Sequence, residues 1–241
     1  DIGVTGVQTC ALPISDDGGN VEIAGGFARR GRGGSLSIES GYGERASSGS
    51  VSVDTANAGI SGVSGEIGLK TGTSSAGNTG SIFISSGDAK GGKGGDIALS
   101  VGEGNSGNGG NVYTNAGDTS ASGHVGGGVY IESGFSSTSS SGSVFIETNK
   151  GGSKGESGEI LLSTGATEKG SSGVLGFVSG DATDGNGGDI RLMVGRGDSG
   201  DGGSISLNAG ESRAQGQSGG SINIVGGIGS SQDRSDGGNG G

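Results

Sequence analysis

Residues 94–110, GGDIALSVGEGNSGNGG, and residues 187–203, GGDIRLMVGRGDSGDGG, are two versions of one repeat. Each opens on paired glycines, sets aliphatic residues two apart and closes in Gly, Ser, Asn and Asp. Outward from these stretches the same pattern returns every 15 residues, with occasional spacings of 16 and 17, to give fourteen turns. When each turn is numbered from the residue before its glycine, position two is glycine in all fourteen, from Gly19 to Gly220. Position four is always aliphatic, from Val21, Leu36 and Val51 to Ile222. Position six is apolar from Ile23 to Ile224, with Thr114 the one departure. The order of turn lengths also recurs, so residues 33–125 and 126–218 are six-turn blocks of equal length and the array carries a duplicated six-turn unit.

An apolar residue at every second place puts positions four, six and eight on one face of an extended strand. One short strand per repeat cannot bury that face alone, so neighbouring repeats are expected to stack and share a core. The pattern therefore predicts an all-β fold, a parallel β-solenoid (β-helix) of about fourteen short turns of 15–17 residues, on the order of 65 Å long and of either handedness. Position nine is glycine in twelve turns, the exceptions being Ala56 and Asn149. Glycine at positions two and nine predicts corners that need positive φ or close backbone approach. Position eight is small, as in Ser40, Thr55, Val101 and Ala116, and is expected to taper the core.

Composition pulls the other way. Leu, Ile, Val and Phe make up under a fifth of the chain, 64 residues are glycine and the net charge is -11, values that read alone as disorder. The regular placement of the few apolar residues is what predicts a packed array. Against 25 Asp and Glu the chain has 14 Lys and Arg, which argues against nucleic acid and anionic membrane as partners. No run approaches the 18 or more apolar residues of a spanning helix, so no membrane insertion is expected.

Residues 1–15, DIGVTGVQTCALPIS, share nothing with the repeats. Within them VTGVQTCALPI, residues 4–14, resembles the conceptual translation of a sequencing-library adapter, which implies that residues 1–15 are non-native. Cys10 and Pro13, the sole cysteine and proline, fall there, so disulfide chemistry leaves the account. Residues 16–241 then read as a single repeat domain. At its end GGNGG, residues 237–241, resembles the lead-in to a further turn, and the array is expected to be a fragment of a longer one.

Candidate chemistry is sparse. GGKGGDIAL, residues 91–99, resembles the nonapeptide GGxGxDxUx of calcium-binding β-rolls. Its apolar residues, however, follow Asp96 by one and three places instead of two, and aspartate recurs there only as Asp189. No metal site is expected. The hydroxyl rank Ser40, Thr55, Thr71 and Ser86 shares the parity of the aliphatics, and the outward positions are mixed, so no flat ice-binding plane is expected. His124 aligns with Gln217 in the other block, and Glu39 with Glu132 or Glu66 with Glu159 recur as copies. No catalytic residue and no cofactor is expected, and the chain reads as not an enzyme. One outward feature remains: position five holds Tyr113, Tyr130, Phe145 and Leu161 in successive turns. It is a candidate contact ladder for sugar rings or a neighbouring rod, or a set of mutually stabilising neighbours.

In composition and repeat pattern, residues 16–241 resemble Gly/Ser/Asn-rich β-solenoid repeat proteins of marine microalgal or bacterial metagenomic origin. That resemblance implies no specific activity. The expectation is a structural or adhesive repeat protein, extracellular or at the cell surface, with self-association or extracellular polysaccharide as its partner. The alternative is a ligand-binding solenoid for carbohydrate, ice or calcium.

Overall fold

The structure, a computed structural model, describes residues 19–229. The readings of residues 1–15 and 237–241 fall outside them. Among the described residues there is no helix and no strand. The expected all-β fold, the parallel β-solenoid or β-helix, is therefore not what the chain forms.

The repeat instead builds an alternation of extended segments and tight bends. A bend stands between every pair of successive segments, at 29–31, 44–46, 60–62 and onward to 214–216. Each bend lies in a loop whose ends return to one another, the signature of a compact Ω-type loop. Five loops are pinned by the backbone: the Gly34 amide donates to the Gly26 carbonyl at 2.8 Å, Gly49 to Gly41 at 3.0 Å, and Gly127 to Gly117, Gly142 to Gly134 and Gly220 to Gly210 at 2.9 Å. In every case the donor is a position-two glycine and the acceptor is position nine of the turn before. In a sixth loop the Thr148 hydroxyl, at position eight, donates to the Gly158 carbonyl at 3.1 Å.

This closure leaves little room for a side chain at several of the position-two glycines. A Cβ on Gly110 would lie 2.8 Å from Val101 Cγ1, and one on Gly203 would lie 2.7 Å from Val194 Cγ1. Those are position-eight side chains, which the loop folds onto the next glycine. The small residues of that rank therefore seat loop mouths and do not taper a core. At position nine, by contrast, added Cβ atoms on Gly72 or Gly87 would meet nothing within 4 Å. Ala56 and Asn149 can stand there for that reason. Positive φ is found at neither position. It falls in the bends, at residues such as Gly107 (φ 78) and Gly170 (φ 104), and at Asp184 (φ 59), a left-handed conformation that a short polar side chain tolerates.

The physical reason for the missing sheet lies in what each segment can bury. A solenoid needs backbone bonds between residues one full repeat apart, but the pinned loops join residues eight or ten apart. Each segment offers few aliphatic side chains against the backbone entropy of a glycine-rich repeat, and glycine loses the most freedom on ordering. The alternation survives only as a gradient of exposure. In the segment at 190–194, Ile190 is 54% exposed, Met193 84% and Val194 45%. No described residue is buried. The chain exposes 24703 Å², whereas a folded monomer of 22.7 kDa would expose about 9500 Å² and a fully extended one about 33000 Å².

The residues group into two units, Asp1–Asn115 and Ala116–Gly241. The described part of the first holds the segments and loops from Gly19 to Asn115. That of the second continues the same alternation from Ala116 to Gly229.

Candidate functional site

Position five carries large, exposed side chains in four successive segments. Tyr113 is 79% exposed, Tyr130 88%, Phe145 86% and Leu161 76%. Their parity is opposite to that of the half-covered aliphatics, which follows from the two-residue alternation of extended backbone. Tyr113 belongs to the first unit and the other three to the second, so within one unit the ladder is Tyr130, Phe145 and Leu161. Local contacts orient two of these rings. The Asn111 side-chain amide donates to the Tyr113 hydroxyl at 2.9 Å. The Tyr130 ring folds back along its own segment, so that a Cβ on Gly128 would come 3.0 Å from Tyr130 Cε2. The absence of a side chain at Gly128 makes room for the ring.

Charged residues are arranged in short-range pairs. Lys93 meets Asp96 at 2.9 Å, Arg213 meets Glu211 at 3.7 Å, Arg196 meets Asp198 at 3.8 Å, and Arg191 pairs with Asp189. All are exposed and lie within three residues of one another, so each stabilises by at most about 1 kcal/mol. The two aspartates of the nonapeptide-like stretch, Asp96 and Asp189, thus each face a cation of their own neighbourhood. Among the described residues no three His, Cys, Asp or Glu side chains gather as a metal site would require, and no pocket forms. His124 is exposed beside the 121–123 bend. Its counterpart Gln217 uses its backbone amide to close a turn onto the Ala214 carbonyl at 3.2 Å. No described helix is long and apolar enough to cross a membrane.

One group of residues escapes a reading based on overall charge. Arg29, Arg30 and Arg32 lie in the loop between Gly26 and Gly34, which the backbone pins, and all three are exposed, as is Phe27. Counting charge loop by loop would have found them, because the chain-wide balance of -11 conceals a local excess of cations. No family model matches the chain, and neither the curated proteins nor the solved structures contain a match to it.

Proposed function

We propose that the chain is a non-enzymatic structural or adhesive repeat protein, working outside the cell or at its surface. The observation that carries this reading is the display of a large apolar side chain at position five of successive segments. Tyr130, Phe145 and Leu161 stand at the same position of three successive repeats, each more than three-quarters exposed. Apolar rings with an exposed face suit sugar rings or the segments of another chain, and each such contact is worth about 0.5–1.5 kcal/mol. Weak contacts held on one chain add through effective concentration, so an extended repeat array gains avidity that a single site lacks. Loops pinned at their mouths keep those sites spaced along the chain.

Adsorption to an insoluble neutral polysaccharide such as cellulose tests the reading. The parent chain is expected to be retained, and the Tyr130→Ser, Phe145→Ser, Leu161→Ser variant to lose about tenfold or more in apparent affinity, as expected for three lost contacts of this size. Equal retention of the two chains would refute the role of the ladder. Failure of the parent chain to adsorb to cellulose or to associate with itself would refute the adhesive reading as a whole.

A further inference from the structure

We infer that the loop of residues 27–33 is a binding site for an acidic polysaccharide, one carrying sulfate or carboxylate groups. This inference rests on the adhesive reading and adds a second, electrostatic contact at a different place in the chain. The loop FARRGRG holds Arg29, Arg30 and Arg32 and no carboxylate. Every other loop between segments that carries a cation also carries at least one acid: Glu44 with Arg45, Asp88 with Lys90 and Lys93, Glu156 with Lys150 and Lys154, and the same holds at 166–172, 196–202 and 211–219. The excess of three positive charges is therefore specific to this loop.

Geometry adds a second, independent observation. The loop is closed by the 2.8 Å bond from the Gly34 amide to the Gly26 carbonyl. A Cβ on Gly34 would lie 2.7 Å from the Gly26 nitrogen, so its mouth is also tightly apposed. Three guanidinium groups are thus tethered within one short, closed stretch of chain and exposed to solvent. Guanidinium matches the planar or tetrahedral oxygens of carboxylate and sulfate with paired donors. Phe27, 89% exposed in the same loop, offers an apolar face to a sugar ring.

Charge also selects between classes of polyanion. Apart from this loop the chain carries a net charge of -14, and Glu22 and Glu39 lie on the flanking segments. A densely charged nucleic-acid backbone would run into that field. A flexible polysaccharide with apolar ring faces can meet the loop within a Debye length of about 8 Å and bend away from the rest.

The test uses the whole chain, with dextran sulfate as probe and uncharged dextran and a 20-base-pair DNA duplex as comparisons. Dextran sulfate is expected to bind, weakening roughly tenfold or more between 50 and 200 mM salt. The Arg29→Gln, Arg30→Gln, Arg32→Gln variant should lose at least tenfold in affinity, while protection of the Gly34 amide from exchange shows that its loop is still closed. The Tyr130→Ser, Phe145→Ser, Leu161→Ser variant should bind dextran sulfate as the parent does. Unchanged binding by the arginine variant, or DNA binding as tight as that of dextran sulfate, would overturn the inference. Retention of the parent chain on cellulose would be untouched by either result, so the two readings fail separately.

Discussion

Two glycines at the mouth of one loop should respond to alanine in opposite directions. At Gly34 the added Cβ would stand 2.7 Å from the backbone nitrogen of Gly26, where ordinary contact begins at 3.4 Å. The obstacle is main chain, which no rotamer change can move aside. Relieving it means retreating by about 0.7 Å, which stretches the 2.8 Å bond from the Gly34 amide to the Gly26 carbonyl past the 2.7–3.2 Å range of a sound hydrogen bond. A bond of this kind contributes about 0.5–1.5 kcal/mol net, so Gly34→Ala should lower the closed population relative to the open one by about two- to thirteenfold. At Gly26 an added Cβ meets nothing within 4 Å and the backbone is not left-handed. Gly26→Ala should therefore favour closure by about 0.4–1 kcal/mol, roughly two- to fivefold, by restricting the open chain. Amide exchange of residue 34, followed by NMR, reads both effects. Protection that changes in the same direction in both variants, or that rises in Gly34→Ala, would refute the steric account of Gly34.

Other consequences follow from the open character of the segments. Ile160, about half exposed, should tolerate Ile160→Ala with changes of less than about threefold in exchange across its segment, unlike a core isoleucine, whose truncation costs about 2–5 kcal/mol. Tyr42, Tyr113 and Tyr130, all more than three-quarters exposed, should be quenched by acrylamide about as readily as free tyrosine; a strongly shielded class of tyrosines would contradict their placement. Lowering the pH from 7 toward the sequence pI of about 4.4 removes net negative charge, so light scattering should report growing self-association on that side and none on raising the pH. Association that instead grew with rising pH would contradict it.

Much of this organisation is legible in the sequence. The period, the position of each loop and the parity that exposes Tyr113, Tyr130, Phe145 and Leu161 all follow from where glycine and the aliphatics stand. Sheet formation is not legible in the same way, because alternation describes which residues share a face and says nothing about whether another strand covers it. Ile190 and Val194 keep the alternation while remaining about half exposed. Nor does the sequence by itself separate the two uses of glycine. Position-two glycines lie against the mouth of the preceding loop, as Gly203 does against Val194 and Gly34 against Gly26, while positive φ belongs to Gly107, Gly170 and their counterparts in the bends. The arginine loop was hidden for a simpler reason: net charge is a sum, and three cations vanish within a total of -11.

The central claim is that the repeats form pinned loops and extended segments without a shared buried core, and differential scanning calorimetry of the whole chain tests it directly. A cooperatively packed chain of 241 residues would absorb on the order of 170 kcal/mol on melting, at about 0.7 kcal/mol per residue. The account predicts a featureless trace, with no cooperative endotherm between 10 and 100 °C. A single sharp endotherm approaching that enthalpy would contradict it.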